Sequence, residues 1–164
     1  MAERDPNGPI VLSLLDRLLD EEPKSKVEAS LNFSKSLAKV KLGLQRDLEN
    51  LLNSRQNPVE LPESCVETAK SVYMYGFPDI SSMSSNFFYD QGRLLALIEQ
   101  TLAIFEPRLF EIQVTLLPPS GTTRVLRFVI EAMLRVDPTP EHVVYDAALE
   151  LTSGEYQVTG ATRA

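Results

Sequence analysis

The hydrophobic period of this chain changes once, at Pro107, and that change decides the fold class. Before Pro107, apolar residues recur every three or four positions, as on one face of an α-helix. After it they alternate with polar ones, as on one face of a β-strand. Phe33, Leu37, Val40, Leu44, Leu48, Leu51 and Leu52 form one helical stripe over about Asn32 to Ser54. Leu94, Leu95, Ile98, Leu102 and Phe105 form another over about Tyr89 to Phe105. Pro107 ends it, because a proline restricts the preceding residue to extended geometry. Phe110, Ile112, Val114 and Leu116 then alternate with Glu111, Gln113 and Thr115. Leu126, Phe128, Ile130, Ala132 and Leu134 repeat the pattern within Arg124 to Val136, where alternation and flanking turns favour strand over helix. Val143, Tyr145, Ala147, Leu149 and Leu151 make a third strand, and Tyr156 and Val158 a short last one. The expectation is an α+β fold, with N-terminal helices packed on a small antiparallel sheet formed by the C-terminal half.

Two shorter elements precede these. Val11, Leu14, Leu15 and Leu18 fall at helical spacing between Pro9 and Glu22, with Asp16, Arg17, Asp20 and Glu21 on the other side. Asn7 can cap this helix and Pro9 suits its first turn. A helix this short is unstable alone, so Leu14, Leu15 and Leu18 are expected to dock on the chain's own domain or on another chain. Pro23 to Ser30 reads as a linker. Pro62 is expected to open a further helix that turns Cys65, Val66, Ala69, Val72 and Tyr73 inward, with Gly76 as a left-handed cap. The division expected is an arm and linker over 1–30, one domain over 31–160, and a frayed tail over 161–164.

Composition narrows the chemistry. One cysteine, Cys65, excludes an internal disulfide, and one histidine, His142, excludes a multi-histidine metal centre. No metal and no cofactor is expected. The net charge of −7 argues against nucleic-acid binding. No apolar run is long enough for a membrane helix, and the start of the chain has no apolar signal core, so a cytoplasmic location is expected. The segment from Lys24 to Arg46 nevertheless carries +5, leaving −12 elsewhere, which marks either a solvated helix face or a partner contact.

No catalytic set stands out. His142 has no Gly-x-Ser-x-Gly elbow to serve, and Cys65 sits at helical spacing with Val66 and Ala69. Glu106 with Asp79 or Asp90 offers paired carboxylates at element junctions, but the chain has no tryptophan to stack a sugar. Arg108 beside Glu106 is expected to hold that carboxyl low, the wrong direction for a general acid. Glu106, Pro107 and Arg108 read instead as a junction that is either a local clamp or a partner-binding site.

The ordered motifs resemble the TssE family, the small baseplate wedge subunits of type VI secretion systems, which are similar to wedge subunits of contractile phage tails. The pieces are Leu14-Leu15-Asp16-Arg17-Leu18, the run from Leu44 to Arg55, Tyr75-Gly76-Phe77-Pro78-Asp79, Phe105-Glu106-Pro107-Arg108-Leu109 and Leu151-Thr152-Ser153-Gly154. Asn50 departs from the pattern, since many relatives carry tryptophan there. The resemblance implies a structural, non-enzymatic role in a cytoplasmic baseplate. It implies TssF and TssG as wedge partners, TssK beside them, and contact with the sheath proteins TssB and TssC. Glu106, Pro107 and Arg108 are implied as the wedge contact. Open sheet edges fit the strand sharing by which sheath subunits interlock. The rival readings are a phage-tail wedge subunit, an anti-adaptor that protects a sigma factor, and a peptidoglycan hydrolase.

Overall fold

The computed structural model describes residues 10–19, 32–79, 87–118 and 125–160, with 87–90 described by backbone alone. The elements are α1 (Leu14–Leu18), α2 (Phe33–Asn53), α3 (Val66–Ala69), a 3-10 turn (Val72–Met74), α4 (Phe87–Phe105), β1 (Leu109–Leu116), β2 (Val125–Leu134), β3 (Glu141–Glu150) and β4 (Tyr156–Gly160). The four strands form one antiparallel meander in the order β1-β2-β3-β4. The expected α+β architecture is therefore observed.

The two long helices cover one face of the sheet, α4 against β1 and α2 against β4. Asn32 caps α2 by accepting the Lys35 N–H at 2.9 Å. Val40, Leu44, Leu48, Leu51 and Leu52 face the sheet from α2, and Leu94, Ile98 and Leu102 do so from α4. They meet Leu126, Phe128, Ile130, Ala132 and Leu134 of β2 and Val143, Tyr145, Ala147 and Leu149 of β3, the alternating sets read from the sequence. Leu151 lies past β3 in a turn and is exposed.

β1 departs from simple alternation. Its register against β2 shifts between Phe110 and Gln113, and Glu111 takes a left-handed φ of 52°. This bulge changes the phase of the strand, so Leu109 on one side and Val114 on the other both reach the core.

The stretch after Pro62 is not the inward-facing helix expected. Only Val66–Ala69 is α-helical; Ser71 then caps the 3-10 turn by accepting the Tyr73 N–H. One turn of each kind cannot keep a stripe on one side, and Val66, Val72 and Tyr73 are exposed. Cys65 is partly exposed at the start of α3. What anchors the segment is Phe77, whose N–H donates to Ser54 C=O at 2.7 Å and whose C=O accepts from Gln56 N–H at 3.0 Å. Gly76 does have the expected positive φ, 122°, but it follows the 3-10 turn and serves this junction. A Cβ there would lie 2.6 Å from Ser54 O, which no backbone shift relieves cheaply.

The first helix also differs. It begins at Leu14, with Ser13 as cap, and residues 10–13 are not helical. Asn7, Pro9, residues 20–31, residues 80–86 and residues 161–164 lie outside the described residues.

Candidate functional site

The change of period at Pro107 places Glu106, Pro107 and Arg108 where α4 hands over to β1. The Glu106 N–H continues the helix bonding to Leu102 C=O at 2.9 Å, and Glu106 C=O accepts from Leu109 N–H at 2.9 Å, closing a tight turn over Pro107. Arg108 C=O accepts from Arg135 N–H at 2.8 Å, tying the turn to the end of β2. Pro107 is exposed, Glu106 is buried and Arg108 lies between them in exposure.

The side chains form a ladder of alternating charge that runs from the α4–β1 junction across α2 to α1. Arg108 donates from Nε and Nη2 to Glu106 Oε2 at 3.1 and 2.7 Å, and from Nη2 to Asp47 Oδ2 of α2 at 2.9 Å. Asp47 Oδ1 in turn accepts from Arg46 at 3.2 Å, and Arg46 Nη2 donates to Asp16 Oδ1 of α1 at 2.9 Å. Ser13 Oγ completes the ladder by donating to Asp16 Oδ2 at 2.6 Å. The motif is thus a clamp within the chain, joining α4, β1, α2 and the arm. Asp47, Arg46 and Asp16 were missed as site residues; the signal was their place inside the quoted motifs.

Burial pushes the Glu106 carboxyl above its ordinary value, and the Arg108 guanidinium only partly offsets it. The lowered value expected from the neighbouring arginine is therefore corrected: desolvation of a nearly enclosed carboxylate outweighs one partner. Arg108 is raised although burial alone would lower it, because Glu106 and Asp47 both hold the cation. Asp16 is lowered: burial works against this, but hydrogen bonds from Ser13 and Arg46 outweigh it.

A raised carboxyl is not by itself a catalytic acid. Glu106 is occupied by Arg108, and Asp79, its proposed companion, pairs with Arg55 at 3.2 Å. The side chain of Asp90 lies outside the described residues. His142 is exposed at the start of β3. Among the described residues no cluster of histidine, cysteine, aspartate or glutamate is arranged to hold a metal. No helix there is long and apolar enough to cross a membrane.

The arm contacts its own domain with its polar side. Asp16 reaches Arg46, Ile10 N–H donates to Ser36 Oγ at 2.9 Å, and Ile10 and Leu12 pack on the core. Leu14, Leu15 and Leu18 point away and are 73%, 52% and 73% exposed.

The family model described as baseplate wedge protein gp25 matches residues 39–139. This chain belongs to that family. The match spans most of α2 through β2, and so includes Arg46, Asp47, Glu106 and Arg108 of the ladder. The wedge family expected from the motifs is the one found, TssE being its type VI homologue. Searches of curated proteins and of solved structures return no match. Membership makes the chain a structural baseplate wedge protein of the kind used in contractile injection machines, with other baseplate proteins as neighbours.

Proposed function

We propose that this wedge protein is the TssE subunit of a type VI secretion baseplate, non-enzymatic and cytoplasmic. Residues 31–160 act as its single domain. It holds TssF and TssG, with TssK beside them, through the Glu106–Pro107–Arg108 turn, and it offers a sheet edge from which the TssB/TssC sheath starts. The exposed Pro107 and the partly exposed Arg108 supply the accessible part of that turn, while Glu106 fixes the guanidinium from behind.

The observation that carries the sheath half of the reading is the unequal closure of the two sheet edges. On β4, Asn53 of α2 meets both backbone groups of Tyr156, and Gln45 donates to Val158 C=O at 2.9 Å. Side chains of α2 thus satisfy three backbone groups of that edge. On β1, Glu99 accepts the Val114 N–H at 2.9 Å, but α4 stands off the bulge. An open cleft of about 510 Å³ remains there, between Ala96, Gln100 and Ala103 of the helix and Leu109–Ile112 of the strand. An extended segment adds to an edge with exposed backbone groups and side-chain space beside it, which favours β1.

The test is reconstitution with TssF, TssG, TssK and sheath proteins. Leu117 N–H bonds inward to Arg127 C=O at 2.8 Å, so the Leu116 N–H faces outward. Leu116→Pro should therefore stop sheath from starting while leaving the wedge assembled. Sheath that starts normally on this variant would remove β1 from the reading. Assembly only with phage-type wedge proteins would replace the type VI assignment by the tail assignment. Lysis in a peptidoglycan zymogram would contradict the non-enzymatic claim.

A further inference from the structure

Each free edge of the sheet is met by side chains of the helix beside it, but with different chemistry. On β4 the groups are neutral amides, Asn53 and Gln45 of α2. On β1 the group is a carboxylate: Glu99 Oε1 of α4 accepts the Val114 N–H at 2.9 Å. Val114 stands opposite Ile130, and Leu116 opposite Phe128. Leu117 N–H bonds inward to Arg127 C=O at 2.8 Å, so by alternation the N–H groups of Leu116 and Val114 both point away from β2. Glu99 thus occupies a group that edge pairing would use.

A hydrogen bond to a charged acceptor is roughly twice as strong as a neutral one. An incoming strand offers the Val114 N–H only a neutral C=O. It gains less there than Glu99 does, and must win through its other contacts. Two copies pairing through their β1 edges would each have to release a Glu99, so self-pairing bears that penalty twice. A strand from a different protein releases one.

The released side chain has room to move. Ala96 and Ala103 stand one turn before and one turn after Glu99 on α4. All three line the open cleft of about 510 Å³ beside β1. Two small neighbours let the carboxylate turn off the edge and be hydrated there, which a charged group requires. Asn53 makes two bonds to one residue of β4 and closes that edge more firmly.

We infer that Glu99 is a displaceable plug on the β1 edge. It holds the Val114 N–H in the free chain, suppresses edge pairing between copies, and swings into the cleft when the backbone of a partner strand takes that N–H. The first two parts stand on the geometry alone. The third rests on the reading of β1 as the edge that receives sheath.

Three variants of the full chain test it, each checked for cooperative melting. Glu99→Ala removes the plug, Glu99→Gln keeps an acceptor without charge, and Glu99→Ala/Leu116→Pro removes the plug but blocks the edge. In sedimentation of the chain alone, Glu99→Ala should be heavier than native at equal concentration. Glu99→Gln should fall between them, and the double variant should return to the native mass. The Val114 amide of Glu99→Ala should exchange about tenfold faster, since the bond lost is charge-assisted. Affinity for sheath protein should rise about tenfold in Glu99→Ala, because no carboxylate has to be displaced. A Glu99→Ala chain no heavier than native, association that survives Leu116→Pro, or a Val114 amide that exchanges at the native rate each overturns the plug. Native or weaker sheath affinity in Glu99→Ala, while Leu116→Pro alone still stops sheath from starting, overturns the displacement and leaves the reading of β1 standing. Sheath that starts normally on Leu116→Pro overturns that reading and the displacement together, and sedimentation then decides the plug.

Discussion

Asn53 and Tyr156, 103 residues apart, exchange two hydrogen bonds: Asn53 Oδ1 accepts the Tyr156 N–H at 2.9 Å and Nδ2 donates to its C=O at 2.8 Å. A helix side chain here does what a fifth strand would do. It fills both outward groups of an edge residue, and so blocks that edge without adding a strand. Asn53→Ala should cost about 1–2 kcal/mol in urea unfolding, because two bonds are lost but water reaches the site. The sharper sign is local. The Tyr156 amide should exchange much faster while the β2–β3 amides keep their protection. Equal exchange before and after the substitution would mean that the amide bonds do not guard the edge.

The clamp makes a different demand on its two ends. Arg108→Ala leaves the buried Glu106 and the half-buried Asp47 without their shared cation. Breaking a buried pair costs about 3–5 kcal/mol, and discounting for an arginine one-third exposed gives about 2 kcal/mol here. Glu106→Gln keeps the shape, removes a charge that burial disfavours, and should change stability by under about 1 kcal/mol. Equal losses from the two substitutions would show that Glu106 is held as an essential charge. If Arg108→Lys restores stability yet not TssF and TssG binding, the planar guanidinium serves a partner as well as the clamp.

The two shifted carboxyls predict opposite pH trends. Glu106 is raised, so the folded state binds its proton more readily than the unfolded chain. Its contribution to stability therefore declines as pH climbs from its ordinary value near 4.5 through the folded value. Asp16 is lowered, so its contribution is present above its ordinary value of 3.8 and disappears as pH drops through the folded value. Subtracting the stability–pH curve of Glu106→Gln from that of the native protein should leave a difference that falls with rising pH above about 4.5. Subtracting that of Asp16→Asn should leave one that rises with pH below 3.8 and is flat above it. A flat first difference would mean that Glu106 is solvated as freely in the fold as outside it.

What could be read from the sequence is what period alone encodes. Residues 126, 128, 130, 132 and 134 alternate without interruption, and β2 follows them. The stripe from Val40 to Leu52 needed no tertiary information to become the buried face of α2. Three features were hidden, each for a definite reason. The bulge at Glu111 places a non-glycine residue at positive φ, which side-chain pattern does not announce. Val66, Val72 and Tyr73 have helical spacing, but Ser71 ends the α-turn and its hydroxyl caps the next one. In the arm, amphipathicity separates a polar from an apolar side without saying which one meets the domain. That choice depends on Arg46, 30 residues away. The Glu106–Arg108 pair was legible because proline fixes its neighbours, whereas Asp47 reaches Arg108 only through the packing of α2 on the helix–strand junction.

Gly43 offers a way to release the arm without disturbing the core. In the middle of α2 a glycine costs about 1 kcal/mol relative to alanine, so Gly43→Ala should strengthen the helix itself. The new methyl would stand 2.7 Å from Asp16 Oδ2 and 3.3 Å from Cγ. One of the two must give way. The helix backbone is fixed by its own ladder and by Leu44 and Leu48 in the core, whereas Asp16 is held by Ser13 and Arg46 at the surface. The side chain and its five-residue helix should therefore move. Arg46 would keep Asp47, so the clamp at Arg108 survives. The expected result is a melting point equal to or above the native one, together with faster exchange of the Arg17 amide, whose bond to Ser13 C=O is 3.1 Å. Arg46→Ala should release the arm as well, by removing the cation instead of crowding the anion, and without the gain in helix stability. If Gly43→Ala instead lowers the melting point and the arm amides stay protected, the arm is part of the core and it is the helix that yields.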